Sequence, residues 1–386
     1  MLTKVQISNV NAIDYCSIDF QKGKYKYLEN MIYGDKLVNP VAFYGSNGSG
    51  KSSFLKAIFQ VLRLMLCEPQ KASPFVVNRF NVDTHVKILA QTSPELLTKQ
   101  EFTDSLDSIT SFVKLFFEIN TVEYVYYIET SFSTGCIVKE YLSANKADIF
   151  ARNNNSYHFN QKESSISESL YPTLRKLAAD NQENEHITTA FKFLSGMGYV
   201  DAVKHSVFFR DSVERDYRDI MVEKSATVKS ILSQYREFPM YSFTSRVNDE
   251  GRKEYRIELE TSNGSLTLPY QIMSSGMLNQ SVLLSTLLSL SQNSVLFVDE
   301  IEDALHPITI LDFIKVAQER NVQLIFSSHN TYLLQKLRPD QIFFANWKDG
   351  YSTYKKLSDI YPNIREINNI EKMYFSNMFD EDIKNG

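Results

Sequence analysis

Residues 45–52 read Gly-Ser-Asn-Gly-Ser-Gly-Lys-Ser, and no other stretch restricts the fold of this chain so tightly. Glycines at this spacing let successive backbone N–H groups turn inward around an anion. The segment before the octet, NPVAFY at 39–44, ends in an apolar run that stops at Gly45. After it, Phe54, Leu55, Ile58, Phe59, Val61, Leu62, Leu64 and Leu66 recur at helical spacing. A strand, a glycine-rich loop and a helix in this order aim the positive end of the helix dipole at the loop. This is the P-loop arrangement, with Lys51 placed for the β- and γ-phosphates of ATP and the Ser52 hydroxyl for Mg²⁺. The expected nucleotide-binding residues are therefore Gly45, Ser46, Asn47, Gly48, Ser49, Gly50, Lys51, Ser52 and Ser53.

A second signal lies far downstream. VLFVDE at 295–300 is an apolar strand that delivers Asp299 and Glu300 at its carboxyl end, where open α/β sheets bind ligands. Two acids capping a following helix would read the same in isolation. With a P-loop upstream, Asp299 is expected to hold the Mg²⁺ and Glu300 to polarise an attacking water. The strand around Val322, Leu324 and Phe326 leads in the same way to Ser327, Ser328 and His329. His329 is thereby a candidate for positioning that water, with Lys51 and Glu300 as the other catalytic residues. SSG at 274–276 opens a helix, which on bare sequence is also an ordinary N-cap.

Composition bounds the class. The chain has 386 residues, a net charge of −5 and an isoelectric point near 5.8, which argues against a uniformly basic nucleic-acid binder. Arg246, Arg252, Lys253 and Arg256 leave a local phosphate contact open beside the reading of a solvated strand edge. Cys16, Cys67 and Cys136 form no CxxC pair, so neither a zinc site nor a disulfide framework is expected. No leader peptide and no membrane-length apolar segment is read, which points to a cytoplasmic protein.

The expected fold is α/β: a P-loop NTPase core, mostly parallel sheet plus an antiparallel β meander, with a mainly helical insertion. The meander is read over Ser111–Tyr141. Residues 145–168 read as a polar loop and 169–238 as charged helices. A hairpin turning at Asn263-Gly264 follows, and the last third alternates helix and strand. The expected domains are 1–141 and 255–386 as the two parts of the core, with 142–254 as a helical lid or partner-binding insertion.

GSNGSGKS, SSGMLNQ, VLFVDEIEDALHP and IFSSHN, in that order, resemble the ABC/SMC-like ATPase superfamily. The branch is similar to stand-alone "AAA family" ATPases related to the OLD and RecF group, including subunits of prokaryotic anti-phage systems. The resemblance implies that Ser274, Ser275 and Gly276 bind the γ-phosphate of ATP held by a second subunit in a head-to-tail homo-oligomer. It implies that Asp303-Ala304-Leu305-His306 is a loop through which subunits sense each other, and that His329 is the switch histidine. The sequence departs from the pattern in places. Ile301 stands where many relatives have Pro, and Ser275 where transporter-type members have Gly. The usual glutamine ligand has only Gln91 and Gln100 as candidates, and Ser376-Asn377 occupy a place where Gly is expected nearby. The residues after His329 hold a strand pair and a short helical tail, not the acidic nuclease domain of OLD proteins. The expectation is a regulatory ATPase whose effector, a nuclease or toxin, is a separate protein, with no membrane partner. The alternative is a RecF-like DNA-repair ATPase that clamps DNA on binding ATP. The ATPase subunit of a transporter is the third reading.

Overall fold

The computed structural model describes residues 1–68, 109–131, 134–167, 170–180, 183–234, 241–365 and 368–376. They form two compact units, Met1–Ser195 with Leu334–Gly386, and Gly196–Leu333. Strands and helices are numbered along the chain.

In the first unit, β1 (Leu2–Val10), β2 (Ile13–Asp19), β6 (Thr110–Ile119), β7 (Val122–Ser131), β8 (Ile137–Ala144), β9 (Ala147–Asn153), β10 (Ser156–Phe159) and β11 (Lys162–Ser165) build one eight-stranded sheet. Its order is β11-β10-β9-β8-β7-β6-β1-β2, and its pairings are antiparallel. Two short strands, β3 (Ile32–Tyr33) and β4 (Leu37–Val38), pair separately. β5 (Val41–Tyr44) runs parallel to β19 (Ile342–Lys348), which pairs antiparallel with β20 (Tyr351–Lys356). β5 is buried at every position, as a strand covered on both faces must be. Helix α1 (Lys51–Leu66) docks on this ribbon through an aromatic stack. Phe43 of β5 lies between Phe54 of α1, at 4.5 Å between ring centroids, and Phe343 of β19, at 5.4 Å. That stack fixes where α1 starts, and therefore where the P-loop sits.

Helices α2 (Thr173–Asp180) and α3 (Glu185–Ser195) also belong to this unit. Phe193 of α3 stacks on Phe117 of β6 at 4.6 Å. α2 is held through its N-terminus: the buried Glu140 carboxylate of β8 accepts from the Thr173 and Leu174 amides at 2.6 and 3.0 Å and from the Tyr126 hydroxyl at 2.9 Å. Burial pushes the Glu140 carboxyl up, while those amides and the nearby Arg152 pull it down.

In the second unit, β12 (Gly198–Asp201), β17 (Val295–Asp299) and β18 (Gln323–Ser327) run parallel in that order, with β13 (Ser206–Phe208) antiparallel on the outer side of β12. Helices α4 (Arg210–Glu214), α5 (Tyr217–Leu232), α6 (Ser275–Ser289) and α7 (Pro307–Glu319) accompany them. A three-stranded antiparallel sheet, β14 (Tyr241–Val247), β15 (Lys253–Thr261) and β16 (Gly264–Pro269), completes the unit.

The α/β class, the β5–loop–α1 arrangement, the meander and the alternating last third agree with the sequence reading. Three local expectations are corrected. Residues 145–168 are not a loop, because β9, β10 and β11 prolong the meander through them. The asparagines that suggested a loop sit in tight hairpin turns: Asn145 and Lys146, and Asn160 and Gln161, have positive φ at both turn positions. The stretch 169–238 is helical only in part, since it also holds β12 and β13. β12 is four residues long and wholly buried, too short to show a period. The hairpin at 253–269 turns at Ser262 and Asn263, one residue earlier than read, with Gly264 already paired to Thr261. Gln91, Gln100 and Asn377 lie outside the described residues.

Candidate functional site

The cradle in the first unit depends on its glycines for two reasons. Gly45, Gly48 and Gly50 have φ of 149°, 78° and 102°, which side chains rarely adopt. Space is the second. A Cβ on Gly45 would lie 2.2 Å from the Ala345 carbonyl oxygen, and one on Gly50 would lie 1.9 Å from Ser352 Oγ. β19 and β20 thus form the floor of the loop. The Tyr354 hydroxyl donates to the Gly50 carbonyl at 2.7 Å. Burial pushes Tyr354 well above the usual phenol range.

Two observations fit the cradle to an anion. Helix α1 has no side-chain cap and no acid in its first turn, so the positive end of its dipole meets no protein carboxylate there. The Ser49 hydroxyl is fully buried and has no hydrogen-bond partner among the described residues. Such a group costs on the order of 1–3 kcal/mol until something satisfies it. The Lys51 ammonium is buried and donates to the carbonyls of Gly45 and Ser46 at 2.9 and 3.0 Å. Ser46, Asn47 and Gly48 are exposed at the rim, and Ser52 and Ser53 are half-buried in the first turn of α1.

In the second unit Asp299 ends β17 and is 3% exposed. Its Oδ1 accepts from Ser327 Oγ at 2.6 Å and its Oδ2 from the Tyr199 hydroxyl at 3.5 Å. Burial, followed by the charges of Asp299 and Asp201, drives Tyr199 far above the ordinary phenol range. Ser327 Oγ also accepts the Glu300 amide at 2.8 Å. Glu300 is half-buried and held at φ 55°, a left-handed conformation that costs a non-glycine residue roughly 1 kcal/mol or more. The Ile301 amide donates to the Ser327 carbonyl at 3.2 Å, a bond that proline in this position would lack. His329 is exposed, and its backbone N–H donates to the Glu302 carboxylate. The loops after β17 and β18 are therefore laced together.

Ser274 is the N-cap of α6, its hydroxyl accepting the Met277 amide at 3.3 Å. Ser274 and Ser275 are exposed. Gly276 is required by close packing, since a Cβ there would lie 2.7 Å from the Ala304 carbonyl oxygen. Three residues on, the buried Asn279 donates to the carbonyl and Oδ2 of Asp303 at 2.8 and 3.0 Å and also contacts His205. The SSG helix and the loop at 303–306 are thus one packed unit.

The basic residues near the hairpin are occupied. Arg246 and Arg256 pair with Glu254 at 3.0 and 3.2 Å, Arg252 with Glu250 at 3.3 Å, and Lys253 with Asp219. This favours a solvated strand edge over a phosphate-binding stripe.

Sequence reasoning missed Tyr199, Ser352 and Tyr354. A tyrosine in a short buried strand and a Ser-x-Tyr in a terminal hairpin carry no local signature. Only strand pairing, of Tyr354 with Ala345 and of Ser352 with Trp347, reveals the place of Ser352 and Tyr354 under the P-loop, and only the Asp299 contact reveals that of Tyr199.

A family model described as "AAA domain, putative AbiEii toxin, Type IV TA system" matches residues 41–335. The chain belongs to this family. The match runs from β5 through β18 and includes the P-loop, SSG, Asp-Glu and His329 segments. Among curated proteins nothing matches the chain. Among solved structures it is similar to the SMC head domain from Thermotoga maritima, with 13% identity, 92% of this chain and 98% of that chain covered, and a TM-score of 0.44. It is also similar to an SMC head domain from Pyrococcus furiosus bound to the C-terminal domain of ScpA, with 12% identity, 99% of both chains covered and a TM-score of 0.40. Among the described residues no helix is long and apolar enough to cross a membrane.

Proposed function

We propose that this chain is an ATP-binding and ATP-hydrolysing regulatory subunit of a cytoplasmic prokaryotic anti-phage system, whose ATP-driven assembly controls a separate effector such as a nuclease or toxin. The observation that carries the nucleotide reading is the P-loop with its uncapped helix and orphaned Ser49 hydroxyl. The family's description supports the setting, and the motif order supports the mode of action.

In this reading the loop amides and Lys51 hold the triphosphate. Ser52 and Asp299 would hold Mg²⁺, an all-oxygen donor set suited to a hard cation, and the metal would supply charge neutralisation at the phosphates. Glu300 accepts a proton from the attacking water, and its strained backbone and the Ser327 contact fix its position. His329 orients the same water. The exposed Ser274 and Ser275, with the half-buried Gly276, face the nucleotide of a second copy, so two chains close head-to-tail on two ATPs. Residues 142–254 offer the surface for the partner or trigger.

Replacing Glu300 by Gln tests the mechanism. The variant should bind ATP, release phosphate slowly and accumulate a dimer in sedimentation velocity with ATP and Mg²⁺. Normal turnover in Glu300→Gln would overturn the assignment. The DNA-clamp alternative requires ATP-dependent, salt-sensitive duplex binding. The ion pairing of Arg246, Arg252, Lys253 and Arg256 weighs against it, and duplex binding at low salt would reverse that judgement.

A further inference from the structure

We propose that Trp347 is the stacking platform for the base of the nucleotide, and that it gives the site a preference for purine nucleoside triphosphates. The inference rests on the nucleotide reading of Gly45–Ser52 and adds the recognition of the base.

Trp347 is the only tryptophan in the sequence, and it is 50% exposed. A single exposed aromatic is ordinary on a protein surface. Its position on two paired strands sets this one apart. The parallel pairing of β19 with β5 ends at Phe344 opposite Tyr44, so the end of β19 runs on alongside the P-loop. There the Ala345 carbonyl closes on Gly45. Trp347 is paired directly with Ser352, whose hydroxyl closes on Gly50. Directly opposed residues of an antiparallel pair share a face of the sheet. Tyr354, on that same face, reaches the Gly50 carbonyl. The indole therefore stands at the open end of the face whose next residues support the cradle. Triphosphate in the cradle leaves the nucleoside to extend along the rim. A large, flat, half-exposed ring at that rim matches the π-face of a base, and the larger purine gains more than a pyrimidine.

The test uses the full-length protein and its own fluorescence. Titration of the wild type with ATP or GTP should quench the tryptophan emission, and CTP should bind more weakly by calorimetry. Trp347→Ala should raise the Kd for ATP about 5- to 100-fold, leave the Kd for inorganic triphosphate unchanged and erase the preference for purines. Trp347→Phe should keep most of the affinity. Lys51→Ala should lose both ATP and triphosphate, which separates phosphate binding from base binding. An unchanged ATP Kd in a folded Trp347→Ala protein would overturn the platform while leaving the P-loop reading intact. Absence of ATP binding to the wild type would overturn both.

Discussion

Ser327 Oγ donates to Asp299 Oδ1 at 2.6 Å and accepts the Glu300 amide at 2.8 Å, so one hydroxyl orients two acids that follow each other in sequence. Removing an outer partner of a ligating carboxylate typically costs 10- to 100-fold. Ser327→Ala should therefore lower Mg²⁺-dependent phosphate release by about tenfold or more. Binding of inorganic triphosphate, which depends on the P-loop, should persist. Equal losses in both assays would show that Ser327 serves the fold and not the acids.

Glu300 supports a prediction of opposite sign for stability and activity. Glycine adopts φ 55° freely, so Glu300→Gly relieves the backbone while deleting the carboxylate. The variant should melt higher, by about 1 kcal/mol of stability, and release phosphate more slowly. A lower melting temperature would mean that the side chain, not the backbone, dominates at this position.

Gly50→Ala should fail for steric reasons. Its Cβ would lie 1.9 Å from Ser352 Oγ and 2.5 Å from Ser352 Cβ at φ 102°, so β20 or the loop must shift to admit it. A loss of about 2 kcal/mol or more is expected in chemical denaturation, together with loss of nucleotide binding. Gly48→Ala is the comparison: nothing lies within 4 Å of the added methyl, so only the φ of 78° resists it.

Glu140 anchors α2 from below, and its loss would orphan two amides and leave Arg152 with a poorer environment. Glu140→Ala should cost about 3–5 kcal/mol, with hydrogen exchange accelerated first in Thr173–Asp180. Glu140→Gln keeps an acceptor and should cost less.

Cysteine chemistry gives a pH-dependent check. Burial raises the Cys16 thiol to about 12, against 9.0 in the unfolded chain. Between those values the folded state holds the proton that the unfolded state releases, so this group's contribution favours folding below about pH 9 and fades as pH approaches 12. Folded protein at pH 8 should be alkylated at the half-buried Cys67 and Cys136 before Cys16, as read by mass spectrometry.

What the sequence disclosed follows from how local each signal is. The P-loop could be read because three glycines, Lys51 and an amphipathic helix lie within about twenty residues. The strand end that carries Asp299 and Glu300 was legible because residues 295–298 are all apolar. Asn145, Asn154 and Asn160 misled, since asparagine suits both loops and left-handed hairpin turns, and only strand pairing tells them apart. β12 was invisible because four buried residues carry no period. Tyr199, Ser352 and Tyr354 acquire meaning through partners about 100 to 300 residues away in sequence.

Asn279, in the second turn of α6, joins the SSG helix to the loop at Asp303, with Gly276 seated on Ala304 beside it. The two motifs are separate words in the sequence but one piece of hardware. Neither end can drift in the course of descent without the other. Where a relative replaces Asn279, a matching change at Asp303 should accompany it, and a glycine at 276 should vary only with the path of the chain at 304.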